Sequence, residues 1–162
     1  VACEMTLNDL FGTGRTAPGT GVVLAASPAA TGPGDFTLGP LIVTDPSNAE
    51  TFFAAGASGG PTAVTAKAAV LLGLLAGGGG LDAAIAAHRI HHNGAPDAVF
   101  YEEGESDAVL SSLTQRGHHV EPAGVLGRVD SLWCPEGLPR EPDRCQQQSD
   151  PRGDGLAILQ TE

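Results

Sequence analysis

Thr51–Ala63, TFFAAGASGGPTA, is the stretch on which the fold turns. Phe52 and Phe53 are β-formers in a short apolar run. That run meets Gly56-Ala57-Ser58-Gly59-Gly60, and Pro61 then opens a long Ala/Leu-rich helical pattern. Two adjacent glycines between a strand and a helix leave backbone N–H groups uncovered by side chains. The helix start adds unpaired donors and a positive dipole end. Such a junction suits an anion or a developing oxyanion. A tight connection in which glycine serves only backbone conformation is the alternative reading.

Upstream of this stretch the period is that of strands. Leu41–Thr44 reads as a short strand, Asp45-Pro46-Ser47-Asn48 as a turn, and Thr51–Ala55 as the hairpin partner. Val1–Asn8 (VACEMTLN) reads as a strand whose alternation puts Thr6 and Asn8 on one face. A hydroxyl and an amide projecting together could orient a nucleophile and a substrate; hydrogen bonding at a strand end is the plainer use. Phe11-Gly12-Thr13-Gly14 is a turn. Gly21–Ala26 (GVVLAA) is apolar on both faces and reads as a buried strand. Ser27–Gly34 is a Pro/Gly loop.

Downstream the apolar period becomes about 3.6 residues. Ala63–Ala76 reads as a helix apolar nearly all round, hence deeply buried. Leu81 begins a second helix running to about Ile90, with Asp82 in its first turn. Ala98–Glu102 is a strand, Glu105–Arg116 an amphipathic helix stopped by Gly117, and Val120 a short strand region. Val125–Trp133 and Gly155–Gln160 are strands around the loop that contains Cys134 and Cys145. Strands, then helices, then strands predict a single layered α+β domain over residues 1–162.

Composition sets the outer limits. The chain has 162 residues, enough for one domain with a real core. Its formal net charge of −11 argues against a nucleic-acid partner. No apolar run reaches the roughly 18 residues of a membrane span, and Glu4 and Asn8 interrupt any N-terminal signal pattern. Aromatic residues make up 4%, so the core must rest largely on Ala, Val and Leu. Cys134 and Cys145 could form a disulfide in an oxidising compartment, leaving Cys3 over. Three free thiols fit as well, because connectivity does not follow from spacing.

His88, His91 and His92, at i, i+3 and i+4, could share a helix face as metal ligands. Asn93-Gly94 follow at once, and polar residues at a helix end are ordinary, so no metal is expected. Glu102, Glu103 and Glu105 read as a solvated acidic cluster. His118-His119 read as exposed linker residues.

Five features occur together in one order: Thr6-Leu7-Asn8, Phe11-Gly12-Thr13-Gly14, the Gly56–Gly60 turn, the Ala-rich helix pair, and Asp150-Pro151-Arg152. In that order they resemble the gamma-glutamyltranspeptidases, specifically the small subunit of that family, nearly end to end. AAIAAHRIHH is similar to the family's Ala-Pro-Arg-Phe-His-His run, whose histidines are not metal ligands.

The resemblance implies an N-terminal-nucleophile hydrolase fold, an αββα sandwich of two stacked antiparallel sheets completed by a large subunit. It implies an amide-bond acyltransferase or hydrolase acting on a small-molecule amide, with no cofactor. The nucleophile would be an N-terminal Thr activated by its own α-amino group. Carried over, Thr6 would hydrogen-bond that nucleophile, Asn8 would contact the substrate's glutamyl α-amino group, and Gly59 and Gly60 would form the oxyanion hole.

Three departures follow. The nucleophilic Thr is expected about a strand and a turn upstream of Thr6, before Val1, and Val1 has no hydroxyl to replace it. The family's adjacent serines, which bind the substrate α-carboxylate, fall where this chain reads Phe36-Thr37-Leu38-Gly39-Pro40, leaving Thr37 as the polar group there. The preceding loop is shortened, with Asp35 as the available substitute for the family's substrate-binding Asp. Altered acyl-group recognition is therefore expected. A homologue without a nucleophile, serving as a structural or interaction subunit, is the alternative. Bacterial members are commonly exported, which implies a periplasmic or secreted protein.

Overall fold

A computed structural model describes residues 2–8, 11–26, 39–77 and 79–158. Asp35 and Thr37 lie outside the described residues, as do residues 159 and 160; the described part of the strand expected at Gly155–Gln160, residues 155–158, joins neither sheet.

Strands β1 (Leu41–Thr44) and β2 (Thr51–Ser58) form the hairpin, with Ile42 opposite Ala54 and Val43 opposite Phe53. The turn between them is held locally. Asp45 Oδ1 accepts both the N–H and the hydroxyl of Ser47, and Asn48 Oδ1 accepts the Glu50 N–H, as Asx turns do. Strand β2 also pairs antiparallel with the long β6 (Arg128–Leu138), and β6 pairs with β7 (Gln146–Gln148), giving a sheet ordered β1-β2-β6-β7.

Helix α1 (Pro61–Gly77) packs on β2 and β6. Pro61 at its first position loses no hydrogen bond there, since that N–H has no intrahelical partner in any helix. Ala63, Ala66, Lys67 and Val70, spaced three or four apart, make its buried face. Ala66 and Val70 of this face form the core with Phe53, Ala55, Val129, and Leu81 and Ile85 of α2 (Gly80–Ala86). The helix is buried on that face alone. Val64, Leu72 and Leu75 are exposed, so an apolar composition did not entail burial all round.

The second sheet is ordered β3-β4-β5, from β3 (Ile90–His92), β4 (Val99–Glu102) and β5 (Val120–Ala123). Strands β3 and β4 are antiparallel. Strand β5 runs parallel to β4, because α3 (Asp107–Gln115) carries the chain back between them. Ser106 caps α3 by accepting the Val109 N–H. The α+β class and the two-sheet arrangement stand, with this one parallel ladder as a departure.

Four expectations are corrected. Helix α2 stops at Ala86, not Ile90, because Ala87 turns to extended backbone (ψ 140°) and Ile90–His92 pairs as a strand with Val99–Tyr101. The described residues of Val1–Asn8 join neither sheet; side-chain and loop hydrogen bonds hold them instead. Gly21–Ala26 makes only an isolated bridge between Val23 and Thr16, and Val22, Val23 and Leu24 are exposed rather than buried. The strand expected at Val125–Trp133 begins at Arg128 and continues to Leu138. Cys134 on β6 and Cys145 just before β7 are joined by a disulfide, and Cys3 is free and exposed.

Candidate active site

Strand β2 delivers the chain to Gly59 and Gly60, which have φ of +131° and +62°. Side chains are disfavoured in this region, and at Gly59 there is also no room. A Cβ there would stand 2.6 Å from Thr62 Oγ1 and 2.8 Å from Gly127 Cα. At Gly60 a Cβ would meet nothing within 4 Å, so that side of the turn is open.

Thr62 donates its hydroxyl to the Gly59 carbonyl at 2.9 Å. A trans peptide points its N–H opposite to its C=O, so this bond turns the Gly60 N–H away from Thr62. Neither the Gly59 nor the Gly60 N–H finds an acceptor among the described residues. Two free donors beside the start of a long helix can stabilise a negative oxygen.

The segment carrying Thr6 and Asn8 is tied to this end of β2 by Glu4. Its Oε1 accepts the Ala57 N–H (2.6 Å) and pairs with Lys67 Nζ of α1 (2.7 Å), and its Oε2 accepts the Gly39 N–H (2.7 Å). Both partners of the ion pair are buried. Burial alone would raise the Glu4 carboxyl. The Gly39, Lys67 and Ala57 donors outweigh it and hold the pKa below its ordinary value.

Thr6 and Asn8 do not simply alternate along a strand. Asn8 sits at φ +59°, its N–H donates to Thr6 Oγ1 (3.0 Å), and its side-chain amide donates to the Ala26 carbonyl (2.8 Å). The two polar groups thus engage each other and the 11–26 hairpin, and their hydrogen bonds do not reach Gly59 or Gly60.

A second network braces the turn from behind. Arg89, buried just after α2, pairs with Asp150 Oδ2 at 2.6 Å and donates to the carbonyl of Gly127, the residue against which Gly59 packs. Asp150 also accepts the Val129 and Arg152 N–H groups. Burial pushes its carboxyl up, but these donors together with Arg89 win and keep its pKa below the ordinary value. Arg152 bonds Glu102 (2.7 Å), Asp150 (3.2 Å) and the carbonyls of Ile85 and Ala87, closing off α2. Burial disfavours its charge, and Glu102 and Asp150 more than compensate, so its pKa is raised.

Glu102 is therefore no part of a solvated cluster. It is buried, and its carboxylate accepts the Arg89 and Leu126 N–H groups as well as Arg152. Glu4, Lys67 and Arg89 escaped the sequence reading as site-shaping residues. The signal available was the co-occurrence of the Arg89 segment with Asp150-Pro151-Arg152, whose side chains turn out to pair.

The three histidines are separated by the end of α2. His88 is exposed and lies against Gly104, His92 bonds Asp97, and His91 is buried against Thr65. Among the described residues no group of three His, Cys, Asp or Glu is placed to hold a metal ion. No helix among them is long and apolar enough to cross a membrane.

The two-sheet α+β scaffold, with an open glycine turn at a strand-to-helix junction, is consistent with the N-terminal-nucleophile hydrolase class. The fold is similar to that of a highly active mutant of gamma-glutamyltranspeptidase from Pseudomonas nitroreducens, with a TM-score of 0.76 at 24% identity, over 100% of this chain and 93% of that one. The family model for gamma-glutamyltranspeptidase matches residues 36–159, and this chain belongs to that family. Among curated relatives, Scoloptoxin SSD20 and Scoloptoxin SSD14 of Scolopendra dehaani are 27% and 28% identical to it, each over 80% of this chain. The chain spans 76% of the former and 26% of the latter.

Proposed function

We propose that this chain forms the small-subunit part of a gamma-glutamyltranspeptidase-like amidohydrolase or acyltransferase, paired with a large subunit of the same precursor. The observation that carries this reading is the Gly59–Gly60 turn, with both N–H groups uncommitted and the Gly60 side open.

The nucleophile is a Thr preceding Val1 that becomes an N-terminus. Its α-amino group takes the hydroxyl proton as Oγ attacks the substrate's amide carbon. The carbonyl oxygen becomes an oxyanion held by the Gly59 and Gly60 N–H groups. Collapse breaks the C–N bond, and the amine leaves with the proton, giving an acyl-enzyme. Water or a second amine then attacks the ester and regenerates the Thr. Each oxyanion donor contributes about 3 kcal/mol to such a transition state.

Thr6 orients the nucleophile in this account, and Asn8 accepts from the substrate's amino group through its side-chain oxygen, while its amide nitrogen keeps the bond to Ala26. Thr37 and Asp35 replace the family's serines and Asp in recognising the acyl group, so the preferred acyl donor differs from an ordinary γ-glutamyl group. Export to an oxidising compartment, periplasmic or extracellular, accords with the Cys134–Cys145 disulfide.

Steady-state kinetics of the full-length protein on a γ-glutamyl anilide and on anilides of other acyl groups test this. Turnover of an amide with preference away from γ-glutamyl is the expected result. Full γ-glutamyl activity would contradict the altered recognition, and no amide turnover at all would contradict the enzyme.

A further inference from the structure

His91 lies on β3, in the smaller sheet, and has no place in the mechanism above. Its Nδ1 is 2.8 Å from Thr65 Oγ1. The Thr65 hydroxyl donates its single proton to the Thr62 carbonyl at 3.0 Å. It can therefore only accept from His91, which fixes the imidazole proton on Nδ1 and leaves Nε2 as the bare nitrogen. Thr62, whose carbonyl is held in this way, donates its own hydroxyl to the Gly59 carbonyl. That bond sets the plane of the Gly59–Gly60 peptide and so the direction of the Gly60 N–H.

We infer that His91, as the Nδ1–H tautomer, is a positioning residue that aims the Gly60 N–H through Thr65 and Thr62. The inference rests on the reading of Gly59 and Gly60 as an oxyanion hole. The relay runs from the second sheet across the first turns of α1 to the glycine turn, so the two halves of the fold jointly hold the donor. Each link is short and made by a group with no competing partner for the same proton among the described residues. Burial, with a smaller effect from His92, keeps the His91 pKa below its ordinary value, so the ring is neutral and tautomer-specific near pH 7.

The test uses the full-length protein labelled with nitrogen-15. Two-bond correlations of the His91 ring should show Nδ1–H, and Thr65→Val should abolish that preference and shift the Gly60 amide resonance. Thr65→Ser, which keeps the hydroxyl, should restore both. On an amide substrate, Thr65→Val should lower kcat about tenfold with KM little changed. His91→Asn, whose amide nitrogen falls near Nδ1, should retain activity, whereas His91→Gln should not. An Nε2–H tautomer in the wild type, or a Gly60 amide unmoved by Thr65→Val, would overturn the relay. A wild type that turns over no amide would instead sink the functional reading while the ring and amide signals still decide the relay.

Discussion

Gly59 and Gly127 meet backbone to backbone: a Cβ on Gly59 would stand 2.8 Å from the Cα of Gly127. The carbonyl of Gly127 is in turn held by Arg89. The candidate oxyanion turn is thus seated on a buried ion-pair network.

Gly59→Ala and Gly60→Ala should therefore behave differently. The first collides with backbone that cannot move cheaply and should cost about 3 kcal/mol or more of stability, abolishing turnover. The second meets open space and should cost about 1–2 kcal/mol for its positive φ alone. Urea unfolding midpoints of the two variants check the order.

Asp150→Asn leaves the buried Arg89 guanidinium without its counter-ion. A loss of about 3–5 kcal/mol is expected, with turnover falling in the variant molecules that remain folded. Replacing both partners, Arg89→Met with Asp150→Leu, should recover only part of that stability, because the buried Val129 N–H and Arg152 lose their acceptor. A double-mutant cycle by denaturant unfolding measures the coupling.

Acid should unfold the protein through the same groups. Asp150 and Glu4 both have folded pKa values below their ordinary 3.8 and 4.5, so their contribution is fully present above those ordinary values. It should be lost as the pH falls through them and on past the depressed folded values. Unfolding free energy measured between pH 6 and pH 2 should decline in that window, and Asp150→Asn should flatten part of the decline.

The Cys134–Cys145 bridge closes a loop of 11 residues in sequence separation. Replacing both cysteines by Ser should lower stability by about 2–4 kcal/mol through the unfolded chain. Thermal unfolding with and without a reductant should show the same loss in the wild type and none in the double variant.

The β1–β2 hairpin and α1 were legible because local chemistry alone specifies them: Asx turns at Asp45 and Asn48, alternation through Phe53, Pro61 at a helix start. The helix end after Ala86 was not. Ala-rich periodicity runs straight into His88, His91 and His92, and only the pairing of β3 with β4 and the burial of Arg89 make that stretch extended. Glu102 looked solvated because its partner Arg152 lies 50 residues away, and no local pattern reveals a distant ion pair. Strand β7, three glutamines, carries no apolar alternation and is defined by its ladder with β6. The glycine turn was legible as a junction, but the openness of Gly60, the crowding at Gly59 and the braces from Glu4, Arg89 and His91 are tertiary facts.

Intact-mass analysis of the mature protein made from the complete gene, before and during turnover of a slow amide substrate, tests the central claim most directly. The account predicts a chain whose first residue is a Thr upstream of Val1 and which gains the mass of the acyl group on that residue. A mature chain with any other first residue, or a substrate consumed without an acyl adduct on that Thr, would contradict it.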